Sequence, residues 1–142
     1  MDNLKRKIDA GASRAITQFF FEPRVYLDFV ERARAAGIDV PIVPGILPIH
    51  DFKKMCNFAA RCGAKVPASL AEKFSGLEQK PDIAQLVAAT LAAELCQELA
   101  AQGVREFHFY TLNRAELSYT ACHMLGIRPS IEPRPLAQAA NA

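Results

Sequence analysis

Short apolar runs alternate with amphipathic segments along the chain, and this alternation predicts strands separated by helices. The apolar runs cover residues 15–21, 40–47 and 106–111. Helical spacing of apolar residues covers 3–10, 23–37, 51–61, 82–102 and 113–126, with a loop and a short helix at 66–77. The order is a helix followed by three strand–helix units, with an extra helical excursion after the second strand. Such alternation predicts an α/β fold with a parallel sheet and helical cover.

Residues at the element boundaries refine these limits. Asp51 and Asp82 are placed to cap the helices that follow them, and Asn113 to Glu116 resembles a capping box. The second strand contains Pro44, which has no N–H for a sheet partner, so we expect this strand to loosen there.

Three strand–helix units are too few for a closed (β/α)₈ barrel, which needs eight strands and about 250 residues. The predicted elements therefore belong either to a small open α/β sheet or to a piece of something larger. We expect the tail, residues 129–142, with its prolines and alanines, to be disordered.

Composition narrows the function classes. The 142 residues are 51% hydrophobic and carry a net charge of +2. The basic residues are spread along the chain, which argues against nucleic-acid binding. No apolar run approaches the roughly 20 residues of a membrane helix, and the start lacks a secretory signal, so we expect a cytoplasmic protein. The four cysteines have no metal-ligand spacing, and we expect them to be reduced, mostly buried, and not part of a metal site.

Ligands of parallel α/β folds bind at the carboxyl ends of the strands, and three segments lie there. Thr17–Gln18 is a polar pair in an apolar strand; the glutamine is either satisfied by nearby backbone or presents its amide to a heterocycle. Residues 44–48 form either a simple turn or a place where Gly45 admits a ligand to the backbone. Arg114, after the third strand, is either a solvated cation or an anion-binding group.

Other residues give weaker signals. The basic cluster of residues 5–7 is either solvated or meets a phosphate. His108 is more typical of a packed strand histidine than of a catalyst. The sequence has no Ser-His-Asp set, P-loop or G-x-G-x-x-G motif. From these residues alone, the chain is an α/β unit with one ligand-facing edge.

The same segments resemble a known family. AGASRAITQFFF (residues 10–21), VPGILPI (43–49) and FHFYTLNR (107–114) are similar to motifs of methylenetetrahydrofolate reductases. The resemblance runs from about Asn3 to Pro129 and covers the last part of that family's catalytic domain. It implies that residues 1–128 are a partial (β/α)₈ TIM barrel containing strands six to eight.

The resemblance also implies an activity. The family binds FAD at the strand ends, reduces it with NADH or NADPH, and then reduces 5,10-methylenetetrahydrofolate to 5-methyltetrahydrofolate for methionine biosynthesis. In such enzymes the cofactor carries the hydride chemistry, while the protein orients the reactants.

Four positions of this chain match family residues on the substrate side. Gln18 corresponds to a glutamine that hydrogen-bonds the folate pterin, and Phe58 to an aromatic that packs on folate or the nicotinamide nucleotide. Leu112 and Arg114 belong to the strand end that faces both substrates.

On the cofactor side, Asn3, Arg6 and Lys7 match positions that contact FAD, and Ala12 is expected to line the flavin site. Lys54 departs from the family pattern, since relatives often carry a folate-contacting glutamine there. The family's general-acid glutamate and most of its flavin contacts lie on earlier strands, so the resemblance implies no catalytic acid in this chain.

Three readings follow. The chain is part of a reductase from a truncated or split gene, a non-catalytic piece that completes a barrel with another chain, or an inactive folded remnant. An open sheet edge exposes unpaired backbone groups, so we expect a poorly stable, oligomeric or aggregation-prone chain unless an N-terminal half or a second copy covers it.

Overall fold

The computed structural model describes residues 1–128, in which six helices accompany a three-stranded parallel sheet. The predicted tail of residues 129–142 lies outside the described residues. The elements in chain order are α1 (Asp2–Asp9), β1 (Ala15–Phe19), α2 (Pro23–Ala35), β2 (Ile42–Ile46), α3 (Phe52–Cys62), α4 (Ala68–Phe74), α5 (Pro81–Ala101), β3 (His108–Phe109) and α6 (Glu116–Met124). The predicted α/β class is confirmed, including the short helix in the 66–77 segment.

The strands lie in the order β1-β2-β3, and the pairing of β1 with β2 contains an irregularity. Ile16 pairs with Val43, and the next pair is Phe19 with Gly45. β1 therefore advances three residues while β2 advances two, which is the arrangement of a β-bulge. The residue of β2 opposite the bulge is Pro44, which cannot donate to the ladder. The predicted loosening at Pro44 is thus confirmed, and the extra residue belongs to β1.

β3 is shorter than the predicted 106–111. Its ladder pairs are Gly45 with His108 and Ile46 with Phe109. One further bond follows, in which the N–H of Tyr110 donates to the carbonyl of Ile46 at 2.8 Å. The chain then turns, because Leu112 and Asn113 adopt left-handed backbone with φ of 48° and 62°. A left-handed residue cannot continue a strand, so the prediction of Thr111 as a strand residue was wrong.

Two packed clusters hold the elements together. The first contains Ile42 and Ile46 of β2 with Cys96 and Leu99 of α5. The second contains Phe19, Leu47 and Ile49 together with residues of α3, α4, α5 and α6. Every residue of β2 is buried, as expected of a central parallel strand covered on both faces.

The expectation that no apolar segment reaches the length of a membrane helix does not hold for α5. It is 21 residues long and apolar enough, by length and composition, to cross a membrane. The expectation that no segment approaches that length was therefore too strong. Core helices of soluble proteins have the same composition, and α5 contributes Ala88, Ala92, Cys96 and Leu99 to the clusters.

Two of the predicted helix caps were wrong. α5 begins after Lys80 with Pro81 in its first turn, so Asp82 lies inside the helix and caps nothing. α6 begins after Ala115 without a side-chain cap, since the left-handed Asn113 stands two residues too early. The Asp51 cap is confirmed, because its Oδ1 accepts from the N–H of Lys54 at 2.9 Å.

Candidate functional site

The carboxyl halves of the three strands are tied together by a polar network around Thr17. The Thr17 Oγ1 accepts a hydrogen bond from the N–H of Gly45 at 3.0 Å. The Tyr110 hydroxyl donates to the Thr17 carbonyl at 2.9 Å. One residue of β1 thus binds β2 through its side chain and the end of β3 through its backbone. The network fixes the relative height of the three strand ends.

Gly45 is required by this network and not by a ligand. A Cβ atom on Gly45 would lie 2.5 Å from the Thr17 carbonyl oxygen and 2.5 Å from Cε2 of Tyr110. The space beside the glycine is therefore filled by the Tyr110 ring. Gly45 also lies within β2, so the interpretation of this position as a simple turn was wrong. A glycine inside a strand does signal close backbone approach, and that signal pointed to the network.

Gln18 lies in the bulge of β1 and is exposed at the strand end. Its Oε1 accepts a hydrogen bond from the N–H of Phe19 at 3.1 Å. This bond orients the amide but uses only one of its acceptor positions and neither N–H, so most of its hydrogen-bonding capacity points outward. The backbone therefore satisfies part of the amide, as one sequence interpretation of Gln18 expected, and the amide donors make no hydrogen bond within residues 1–128.

Phe58 joins α3 to the same edge. Its ring stacks on Phe19 with centroids 5.4 Å apart and an interplanar angle of 19°. Phe19 also meets Tyr110 edge-on at 6.3 Å, which connects the aromatic group to the Thr17 network. Phe58 is only half-buried, whereas Phe19 is 2% exposed. Phe19 therefore links the two residues, because its N–H bonds the Gln18 amide and its ring stacks on Phe58.

Leu112 and Arg114 lie on the turn that follows β3, which we call the 111–114 turn. It is closed by the N–H of Arg114, which donates to the Thr111 carbonyl at 2.9 Å. Both side chains are exposed, Leu112 by 59%. Among residues 1–128, neither side chain makes a hydrogen bond to Gln18 or Phe58, so the structure does not join the turn to these two residues.

α1 lies beside the outer edge of β1. Its Leu4 and the exposed Gln18 line one groove of about 610 Å³, which also contains Phe20 and the edge residue Ile16. On α1, Asn3, Arg6 and Lys7 are exposed, and Ala12, which follows the helix, is half-buried. Within the described chain, Lys5 pairs with Asp9 at 3.7 Å, whereas Arg6 and Lys7 form no salt bridge.

The sequence analysis did not single out His50, which lies near the strand ends. The ring nitrogens of His50 are buried and have no hydrogen-bond partner within residues 1–128. Burial lowers the pKa of His50, and the Arg114 guanidinium lowers it further, against an opposing effect of the Glu116 carboxylate. The Lys54 side chain is 87% exposed, and its ammonium forms a salt bridge with the Asp51 carboxylate at 3.7 Å. His108 packs edge-on against Tyr110 at 4.8 Å, as predicted.

The chemistry of these residues suits the binding and orientation of a ligand. It offers a fixed amide, a half-buried aromatic face and an exposed guanidinium, which together suit a flat heterocycle with polar edges and an anionic or carbonyl group. The four cysteines are free, and no cluster of three potential metal ligands occurs in the described part of the chain.

Comparison with known proteins identifies a family and several relatives. A family model described as methylenetetrahydrofolate reductase matches residues 1–126. The chain is 52% identical over 129 residues to 5,10-methylenetetrahydrofolate reductase of Escherichia coli, covering 91% of this chain and 44% of that protein. It is 53% identical over 129 residues to the Pectobacterium carotovorum protein of the same name, with 91% and 43% covered.

A more distant relative is methylenetetrahydrofolate reductase (NADH) 1 of Arabidopsis thaliana, 37% identical over 110 residues, with 78% of this chain and 19% of that protein covered. The chain spans less than half the length of each of these relatives. Because the family model matches most of its residues, this chain belongs to the methylenetetrahydrofolate reductase family.

Proposed function

We propose that this chain provides the carboxyl-side part of a reductase barrel that converts 5,10-methylenetetrahydrofolate to 5-methyltetrahydrofolate with FAD and NADH or NADPH. The observation that carries the proposal is the carboxyl end of β1, which presents the Gln18 amide beside the Phe19–Phe58 stack. In this proposal the three strands are the sixth, seventh and eighth of a TIM barrel.

Gln18 has the chemistry to read the pterin edge. A pterin presents ring nitrogens, an amine and a carbonyl along one edge, so its partner must both donate and accept. The primary amide does both, and the bond from the Phe19 N–H holds it in place before the ligand arrives. Pre-orientation lowers the entropy that binding must overcome.

Phe58 and Arg114 would hold the remaining parts of the reactants. The half-buried Phe58 ring is supported from behind by Phe19, which keeps it fixed as a stacking surface for the aromatic part of folate or for nicotinamide. Arg114 supplies a cation at the 111–114 turn, and Leu112 adds an exposed apolar contact. These residues exclude water and orient the two substrates against one face of the cofactor.

The residues of α1 fit a phosphate-bearing cofactor. Arg6 and Lys7 are exposed cations that form no salt bridge in the described part of the chain, and Asn3 lies one turn earlier on the same helix. They would hold the FAD phosphates and ribose, and Ala12 would border the flavin. Bound FAD would supply the hydride-carrying chemistry, which no residue of this chain replaces.

A second copy or a complementing N-terminal half would complete the site. β1 is paired on one side with β2, and within residues 1–128 its other edge is unpaired and borders the 610 Å³ groove. Ile16 is 49% exposed along that edge. An unpaired parallel edge with apolar neighbours favours addition of another strand. A chain that binds this partner but no flavin would instead be a non-catalytic piece of the barrel.

The test is reconstitution. The purified chain is examined for flavin absorbance, alone and after mixing with the N-terminal half of a relative's catalytic domain, and then assayed for reduction of 5,10-methylenetetrahydrofolate. Flavin binding and activity in the mixture are expected. A complex that forms without flavin would support the non-catalytic alternative, and the absence of both complex and flavin binding would contradict the proposal.

Substitution then tests the site. Gln18→Ala should lower kcat/KM about five- to hundredfold, since one or two hydrogen bonds to the substrate are lost. The matched control is Gln97→Ala, an exposed glutamine on α5 that should leave activity unchanged. Equal effects of the two substitutions would remove Gln18 from the substrate site.

A further inference from the structure

The pairing of β1 with β2 is interrupted at the two residues that form the polar end of β1. The register passes from Ile16 directly to Phe19, so Thr17 and Gln18 lie in the bulge between them. A bulge leaves its extra residue without a regular partner and disturbs the ladder locally. The backbone that carries Gln18 therefore needs support from contacts outside the ladder.

A tyrosine at the end of β3 supplies such a contact. The Tyr110 hydroxyl donates to the Thr17 carbonyl at 2.9 Å. That oxygen belongs to the peptide unit that joins Thr17 to Gln18, and because a peptide unit is planar, holding the oxygen also orients the Gln18 nitrogen. From β2, the N–H of Gly45 donates to the Thr17 Oγ1 at 3.0 Å. The residue before Gln18 is thus held from both β2 and the end of β3.

Tyr110 is itself held on several sides. Its N–H donates to the Ile46 carbonyl at 2.8 Å, which ties its backbone to β2. Its ring meets His108 edge-on at 4.8 Å and Phe19 edge-on at 6.3 Å. Its Cε2 fills the space that a Cβ atom on Gly45 would need. A ring packed in this way has little freedom to move, so its hydroxyl is a fixed donor.

We infer that Tyr110 is a positioning residue: through the Thr17 carbonyl it holds the peptide that carries Gln18, and so fixes the direction of the Gln18 amide at the strand ends. On the other side of that peptide, the Gln18 Oε1 accepts from the Phe19 N–H at 3.1 Å. This bond depends on the backbone orientation at Gln18, so loss of the tyrosine hydroxyl should weaken it. The consequence for a substrate rests on the proposed function of Gln18, whereas the effect on the amide does not.

The first experiment is amide hydrogen exchange of the 142-residue chain, followed by NMR at the Phe19 N–H and compared with the core amide of Leu99. Tyr110→Phe keeps the ring and removes the hydroxyl. The exchange of Phe19 relative to Leu99 should rise about two- to tenfold, as expected for one weakened hydrogen bond. It should also rise in Gln18→Ala, which lacks the acceptor, and adding Tyr110→Phe to that variant should raise it no further.

The matched control is Tyr26→Phe. The Tyr26 hydroxyl also donates to a strand carbonyl, that of Ile42 at the start of β2, at 2.6 Å. The control therefore removes the same kind of bond from the opposite end of the sheet. The stability of the whole chain should fall by a similar amount, but the exchange of Phe19 relative to Leu99 should not change.

The second experiment uses the reconstituted reductase. Tyr110→Phe should lower kcat/KM about two- to tenfold, which is the loss expected from one hydrogen bond. The double variant with Gln18→Ala should be no worse than Gln18→Ala alone, because Tyr110 acts through that amide. Tyr26→Phe should leave kcat/KM unchanged.

Either of two outcomes would overturn the inference. One is a relative exchange of Phe19 that is unchanged in Tyr110→Phe or that rises equally in Tyr26→Phe. The other is a double variant in which the losses of kcat/KM are additive. If Tyr110→Phe fails to fold, Thr17→Val, which loosens the same peptide from the side of β2, decides the question by the same exchange measurement. That measurement uses no ligand, so a failure of the reductase proposal in the reconstitution assay would leave its result unaffected.

Discussion

Replacement of Gly45 by alanine is the sharpest test of the network that joins the three strand ends. The added Cβ would lie 2.5 Å from the Thr17 carbonyl oxygen and 2.5 Å from Cε2 of Tyr110. Real Cβ contacts essentially never fall below 3.0 Å, so one neighbour must move. The carbonyl belongs to the backbone of β1 and cannot rotate away. The Tyr110 ring can be displaced only by lengthening its 2.9 Å bond to that same carbonyl.

The expected loss of stability in Gly45→Ala is the sum of two effects, the clash and the lost hydrogen bond. Forcing one extra carbon into a packed site typically destabilises a protein by about 1–3 kcal/mol. Losing the tyrosine hydrogen bond adds about 1 kcal/mol. The expected decrease in the free energy of unfolding is therefore about 2–4 kcal/mol. This is a large share of the roughly 5–15 kcal/mol that stabilises a typical domain.

The assay is urea unfolding followed by circular dichroism, with two reference variants. Tyr110→Phe removes the hydrogen bond alone and should cost about 1 kcal/mol. Gly63→Ala tests a glycine with φ of 69° and nothing within 4 Å of the added Cβ, so it should cost only the backbone strain of about 1–2 kcal/mol. A Gly45→Ala variant as stable as Tyr110→Phe would refute the argument, because the clash with the Thr17 carbonyl would then be absent.

Further predictions concern Asp51, Cys96 and Phe58. Asp51→Ala should lower the free energy of unfolding by about 1 kcal/mol because α3 loses its cap; an equal loss in Asn57→Ala, an exposed α3 position, would contradict this. The Cys96 thiol, 0% exposed and with a pKa raised to about 12, should be the last of the four cysteines to react with a maleimide, as read by mass spectrometry. Since unfolded Cys96 ionises near its ordinary pKa of 9.0, the free energy of unfolding should fall as the pH rises from 9 towards 12, and Cys96→Ala should reduce that slope. In the reconstituted enzyme, Phe58→Ala should raise KM for folate or the nicotinamide nucleotide about fivefold or more, and an unchanged KM would remove it from the site.

Much of the fold follows from the spacing of apolar residues. The period of the pattern predicted α2, α3 and α5 within a few residues, and the short apolar runs predicted all three strands. The helix caps were less predictable, because an acidic residue near a helix start can either cap the helix or lie within its first turn. Asp51 accepts from the backbone as a cap, whereas Asp82 lies in the first turn behind Pro81.

The end of β3 shows what local sequence cannot supply. Its apolar alternation continues to residue 111, but the left-handed backbone of Leu112 begins the turn immediately afterwards. Leucine has no local preference for that conformation, so tertiary contacts impose it. The same contacts decide the position of Arg114. From the sequence alone, Arg114 could be either a solvated cation or a ligand-binding group.

The candidate site was predicted as separate residues, and the structure adds the relation between them. The resemblance named Gln18 and Phe58, but only the fold links them through Phe19. Tyr110 was not singled out, although an interior strand glycine is a recognisable sign that another group occupies its space. The burial of the His50 nitrogens has no counterpart in the sequence pattern.

The bulge of β1 shifts the pairing of the strand without changing which of its side chains face outward. Pro44 has no N–H to offer the ladder, and the N–H of Gly45 bonds the Thr17 side chain. β1 inserts one residue before pairing resumes at Phe19. Ile16 and Gln18 nevertheless remain the exposed positions of an alternating strand, and Phe19 stays in the core. A residue at position 44 with a free N–H would therefore favour regular pairing of the two strands.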